Sequence, residues 1–118
     1  MRRLSVSLAL LLSVLLSSQA DAATWSVRFT GLTSPISPGS YATASVATHA
    51  NATCSITVTY YSGPSHAAGL YTKRTSSSGR VSWTWKVGTR TYAGSWPVQA
   101  SCVYGGIRHN ATRYLRVT

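Results

Sequence analysis

Residues 80 to 87, Arg-Val-Ser-Trp-Thr-Trp-Lys-Val, alternate without a break between polar and apolar side chains. Successive side chains of an extended strand point to opposite faces. Val81, Trp83, Trp85 and Val87 therefore share one face, and Ser82, Thr84 and Lys86 the other. Two tryptophans flanked by valines and backed by a wholly polar face fit a half-buried strand, with the indoles in a core rather than against a ligand. The same phase recurs elsewhere: Trp96, Val98, Ala100 and Cys102 align on one face of a run, and Cys54, Ile56, Val58 and Tyr60 on one face of another.

Ahead of these runs lies a segment of a different kind. Met1-Arg2-Arg3 is basic, Leu4 to Leu16 is apolar apart from serines, and Ser17 to Ala22 supplies the small residues of an A-x-A cleavage site. This is the layout of a secretory signal peptide over residues 1–22, leaving one domain over 23–118. The apolar run falls short of the roughly 20 residues that a membrane span needs, so no transmembrane segment is expected in the mature chain. Without a cysteine at the cleavage site, a lipid anchor is not expected either. The expected product is secreted, in the extracellular space or held at the cell envelope.

Beyond residue 22 helical periodicity is absent. Short runs rich in Val, Thr, Tyr and Trp are separated by Gly, Pro and Ser clusters, the pattern of an all-β sandwich. Seven antiparallel strands are predicted, at Trp25–Thr30, Tyr41–Thr48, Thr53–Tyr61, Leu70–Thr75, Arg80–Val87, Ser95–Tyr104 and Thr112–Thr118. Turn residues fall between them at Ser34-Pro35, Ser37-Pro38-Gly39, Ser62-Gly63-Pro64, Ser76 to Gly79, Ala93-Gly94 and Gly105-Gly106. Cys54 and Cys102 are the only cysteines, and in an oxidising compartment the simplest reading is one disulfide. Closing a loop of 48 residues contributes roughly 4 kcal/mol in the chain-entropy account.

Charge narrows the chemistry. Of 11 Lys and Arg in the chain, Arg28, Lys73, Arg74, Arg80, Lys86, Arg90, Arg108, Arg113 and Arg116 follow the leader, whereas the one acidic residue, Asp21, lies within it. A mature domain without Asp or Glu lacks the paired carboxylates of glycoside hydrolysis and an Asp-oriented Ser–His triad. It also lacks the usual oxygen ligands of calcium and magnesium. His49, His66 and His109 are scattered and lack zinc-site framing, so no metal or other cofactor is expected. The chain is read as a non-enzyme. Asn51-Ala52-Thr53 and Asn110-Ala111-Thr112 match the glycosylation sequon but are read as polar turn residues.

Two sets of side chains remain for binding. Lys73, Arg74, Arg108, Arg113 and Arg116 are the candidates for a polyanion, such as an anionic polysaccharide or a cell-wall polymer. Tyr61 and Tyr114 face away from the core phase, Tyr71 and Tyr92 lie in or near turns, and together they are the alternative, a platform for sugar; a purely structural or protein-interaction domain is the other alternative. No nucleic-acid motif accompanies the basic residues, so a dedicated nucleic-acid partner is not expected.

The chain also resembles small secreted bacterial immunoglobulin-like β-sandwich domains. The resemblance rests on Ser37-Pro38-Gly39 before a Thr/Ala/Val strand, on Cys54-Ser-Ile-Thr-Val-Thr-Tyr60, and on Ser62-Gly63-Pro64. It continues through Gly79-Arg-Val-Ser-Trp-Thr-Trp-Lys-Val-Gly-Thr-Arg-Thr91, Gly94-Ser-Trp-Pro-Val98 and Cys102. It implies a seven-stranded immunoglobulin-like sandwich, exported and often associated with the cell surface, without enzymatic activity. It carries over no ligand-binding residue. Antibody-type domains bridge the second and sixth strands across the sandwich, whereas Cys54 falls on the third predicted strand. Either the bridge joins neighbouring strands of one sheet or staples a strand end, or the strand count is shifted by one.

Overall fold

The computed structural model describes residues 25–118, so the leader expected over residues 1–22 lies outside the described residues. The described residues form eight strands: β1 (Arg28–Leu32), β2 (Tyr41–Ala47), β3 (Thr53–Tyr60), β4 (Gly63–Pro64), β5 (Lys73–Arg74), β6 (Arg80–Lys86), β7 (Gly94–Tyr104) and β8 (Ile107–Val117). They form two antiparallel sheets, with no helix among the described residues. The smaller sheet has the order β1-β2-β6; the larger has β4-β3-β7-β8, with β5 on the other end of the β3 edge that β4 covers.

The inner faces meet in one core. Ala42, Ala44 and Val46 of β2 and Val81, Trp83 and Trp85 of β6 face Cys54, Ile56 and Val58 of β3, Val98, Ala100 and Cys102 of β7, and Leu115 and Val117 of β8. Size is matched across the smaller sheet, because Ala42 pairs with Trp85 and Ala44 with Trp83. Both indoles are fully buried, which contributes roughly 4–6 kcal/mol each at the usual area coefficient. Neither N–H is left without a partner. Trp83 Nε1 donates to the Tyr71 carbonyl at 2.8 Å and Trp85 Nε1 to the Tyr60 hydroxyl at 3.1 Å. The expected core placement of the two tryptophans holds.

The disulfide joins Cys54 and Cys102, which stand directly opposite on β3 and β7 with Cα atoms 4.1 Å apart. Of the alternatives open in the sequence, the bridge therefore links neighbouring strands of one sheet. Four strands match their predicted limits to within one residue: β2, β3, β6 and β7. Elsewhere the boundaries move. The first strand begins at Arg28 instead of Trp25 and absorbs a bulge between Phe29 and Gly31. The fourth shrinks to Lys73–Arg74, and Gly63–Pro64, read as a turn, supplies the additional strand.

The last strand starts at Ile107 rather than Thr112. Gly105 and Gly106 both take positive φ, 59° and 76°, the requirement of a two-residue hairpin turn that lets pairing begin at once. Asn110 therefore sits within β8 rather than in a turn, while Asn51 occupies a turn with φ 57°. The free edge of β8 is met in parallel by the β1–β2 connection: Ile36 N donates to the Arg116 carbonyl and Thr118 N to that of Ile36, both at 2.9 Å.

Candidate functional site

Charge gathers where the outer face of the smaller sheet meets β5, at the edge of the larger sheet. Arg28 and Arg80 both lie opposite Ala47, one on each side of β2, which sets their backbones roughly 10 Å apart. Ser45 pairs with Ser82 in the next row, and then Thr43 with Thr84, whose hydroxyls are 2.9 Å apart. Lys73 and Arg74 come in from β5, with Lys73 Nζ donating to the Ser82 carbonyl at 2.7 Å. Lys73, Arg74, Arg80, Ser45, Ser76 and Ser82 border a concavity of about 640 Å³. Arg80 also borders a neighbouring one of about 380 Å³, shared with Arg28, Thr48 and Ser78. Four cations and a set of hydroxyls thus ring one continuous surface, with no Asp or Glu among the described residues.

A tight turn before β6 positions this cluster. Gly79 has φ 75°, and a Cβ there would run into the Thr48 carbonyl oxygen. The approach is that close because Thr48 N donates to the Gly79 carbonyl at 2.8 Å. Ser76 closes the turn: its amide donates to the Arg80 carbonyl at 3.0 Å, and its hydroxyl accepts from Arg80 N at 3.2 Å. Behind it Thr75, the one buried polar residue among those described, accepts from Ala52 N and donates to the His49 carbonyl, each at 2.8 Å. These bonds tie down the backbone under the cluster and give its cations a fixed base. At about 10 Å in water two like charges repel by only about 0.4 kcal/mol, a small penalty that a bound anion removes.

Of the residues singled out in the sequence, Lys73 and Arg74 belong to this cluster, but Arg108, Arg113 and Arg116 do not. Arg108 and Arg116 share the outer face of the larger sheet, opposite Val103 and Ser95, and are eight residues apart along β8. At strand rise that is about 27 Å. Arg113 pairs with the buried Val98, so alternation sends it to the other face of the strand. Arg108 donates to the Ser101 hydroxyl.

The tyrosines also divide. Tyr61 and Tyr92 come together, with ring centroids 5.2 Å apart, beside a cleft that Tyr60 and Arg90 also line. Tyr71 lies elsewhere, with Lys73 Nζ 5.1 Å from its ring centre, and Tyr114 stands opposite Pro97 on β8. Burial raises the hydroxyl pKa of Tyr60 above the ordinary tyrosine value, partly offset by the bond from Trp85. The sequence reading missed Arg28, Arg80, Arg90 and Tyr60. Arg80 was visible in the polar phase of its strand, but nothing in the sequence showed that Arg28 is its cross-strand neighbour.

The histidines are less scattered than expected. His49 and His109 both pack on Trp25, at 6.1 and 4.4 Å between centroids, and His49 stacks on Tyr104 at 3.7 Å. They form an aromatic cluster, and among the described residues no three His, Cys, Asp or Glu group in the manner of a metal site. No protein-family model matches the chain, and no curated protein matches it significantly.

Proposed function

We propose that the protein is an exported, non-catalytic immunoglobulin-like module that binds anionic polymers of the bacterial cell envelope or its surroundings through Arg28, Lys73, Arg74 and Arg80. The immunoglobulin-like reading is supported by the strand orders β1-β2-β6 and β4-β3-β7-β8, which leave seven strands when the two-residue β5 is set aside. The parallel contact of Ile36 with β8 also supports it, as a first strand that begins in one sheet and ends against the other. The same-sheet disulfide departs from the antibody arrangement. Export rests on the leader pattern of residues 1–22.

One observation carries the binding reading: cations from three separate strands gather on one hydroxyl-lined face of a domain that has no carboxylate side chain in residues 25–118. Guanidinium forks and an ammonium group so arranged suit the phosphates, sulfates or carboxylates of a flexible polymer, which needs no enclosed pocket. The same absence of carboxylates supports a role without catalysis.

The test is binding of the disulfide-bonded protein to a sulfated polysaccharide, a polyol-phosphate polymer and a neutral glucan, at roughly 0.05 and 0.5 M salt. The expected result is binding to both anionic polymers, lost at high salt. An Arg74→Glu/Arg80→Glu variant is expected to bind at least about tenfold more weakly at low salt. Salt-insensitive binding to the glucan, or no binding to either polyanion, overturns the proposal.

A further inference from the structure

The cleft between the β3–β4 turn and the β6–β7 connection has a chemistry of its own. It measures about 630 Å³ and is lined by Tyr60, Tyr61, Ser62, Gly88, Arg90, Thr91 and Tyr92, which is within the roughly 300–1,000 Å³ of small-ligand sites. Gly88 lies just past the end of β6, whereas Arg80 opens it, so the cleft and the basic face are about 25 Å apart along that strand. They have no lining residue in common.

Two of its walls are apolar rings held out in water. Tyr61 is 76% exposed and Tyr92 63%, with ring planes tilted by 47° and centroids 5.2 Å apart. Tyr61 follows Tyr60, which pairs with Gly63 across the β3–β4 turn, and the backbone of Tyr92 is held by its neighbours. Trp96 Nε1 donates to the Tyr92 carbonyl at 3.0 Å, and Thr91 N to the Gly88 carbonyl at 3.1 Å. Two open rings at this spacing expose apolar surface that a ligand with a flat C–H face, such as a pyranose, covers without replacing any hydrogen bond.

The polar groups of the cleft donate more than they accept. Arg90 brings five N–H donors and no acceptor. Tyr60 uses its oxygen to accept the Trp85 N–H at 3.1 Å, which leaves its own proton for a ligand. The Ser62 and Thr91 hydroxyls can each donate and accept, but no Asp, Glu, Asn or Gln lines the cleft to accept bonds from the vicinal hydroxyls of a neutral sugar. The excess of donors favours a ligand that brings acceptors, and a carboxylate fits the planar guanidinium fork better than a single hydroxyl does.

We infer that this cleft is a subsite for a carboxylated sugar, of the uronic-acid type, within an acidic glycan: the pyranose lies against Tyr61 and Tyr92 while its carboxylate meets Arg90 and Tyr60 O–H. The ligand class follows from the cleft itself and stands independently of the basic face. A glycan bound at both sites gains effective concentration at the second from the first.

The test titrates the full disulfide-bonded protein with a uronic-acid oligosaccharide, its methyl ester, a neutral oligosaccharide of the same length and a nucleoside monophosphate. Salt is held at roughly 0.5 M, where the Debye length of about 4 Å suppresses the basic face. Isothermal titration and tyrosine fluorescence provide the readouts. The uronate is expected to bind at least about fivefold more tightly than the ester or the neutral oligosaccharide, with a tyrosine signal. Arg90→Gln and Tyr92→Ala are expected to weaken it at least about fivefold each, Tyr92→Phe to leave it within twofold, and Arg74→Glu/Arg80→Glu to leave it unchanged. Matching melting curves confirm that the variants are folded. Equal affinity for ester and uronate, tighter binding of the nucleotide, no binding of the uronate, or loss in the basic-face variant alone overturns the inference. Loss of salt-dependent polymer binding with the uronate result intact overturns only the basic-face reading.

Discussion

Lys73-Arg74 and the run Arg108, Arg113, Arg116 look alike as basic segments of sequence, yet the fold treats them oppositely. The first pair lies on a two-residue strand at a sheet edge and borders one concavity with Arg80, which borders the next with Arg28. The second set is strung along the 11 residues of β8, with two members on one face and one on the other. A strand separates its own charges by about 3.4 Å per residue and alternates their direction, so nearness in sequence disperses them. Convergence comes from neighbours in the hydrogen-bonding direction, about 4.8 Å away per strand. A basic patch on a β-protein is thus a property of register.

If the turn before β6 is what gathers the charges, breaking it must cost more than breaking the turn before β8. Gly79→Ala forces a side chain into left-handed φ and against the Thr48 carbonyl, an expected loss of roughly 2–4 kcal/mol. In thermal unfolding that is a drop of more than about 10 °C, accompanied by weaker polyanion binding as Arg80 shifts. Gly105 also has positive φ but open space at its Cβ position. Gly105→Ala is expected to cost only about 1 kcal/mol, with polymer affinity unchanged. Equal losses of stability, or unchanged affinity in the Gly79 variant, would break the contrast.

A finer cut is available behind the same turn. Thr75→Val keeps the shape of the side chain but leaves the buried Ala52 N–H and His49 carbonyl without their partner. The expected loss is about 1–3 kcal/mol. Hydrogen exchange at the Ala52 amide is expected to rise by more than at amides of β7, because the fault is local. A uniform rise across both sheets, or none, would show that the turn and the core open as one unit.

What the sequence disclosed follows the same division. The inward phase of β6, the cysteines in phase with apolar residues, and the limits of β2, β3, β6 and β7 were legible, because a buried face imposes period two on composition. The first half of β8 was not. Ile107-Arg-His-Asn is an edge segment whose residues are exposed or half-buried, so no buried face writes that period into it. The two-residue strands were equally hidden, since Gly63–Pro64 and Lys73–Arg74 are defined by their pairing with β3 alone. The candidate site was half legible for one reason: Lys73 and Arg74 are adjacent in the chain, but Arg28 and Arg80 become neighbours only across Ala47.

The smallest expected effect separates a patch from mere net charge. Arg80→Ala and Arg113→Ala each remove one positive charge from exposed positions of the same chain. If polyanion binding simply reported the overall charge, the two variants would bind alike at every salt concentration, since a distant polymer senses the sum. If it reports the gathered face, Arg80→Ala is expected to lower affinity about three- to tenfold at low salt and to reduce the slope of log affinity against log salt by somewhat under one. Arg113→Ala is then expected to stay within twofold with an unchanged slope, because Arg113 borders neither concavity of the basic face. Titrating both variants across one salt series reads the two quantities together. Coincident lines would reduce the site to a net charge, whereas lines that diverge at low salt and meet at high salt would locate the bound polymer on the outer face of the smaller sheet.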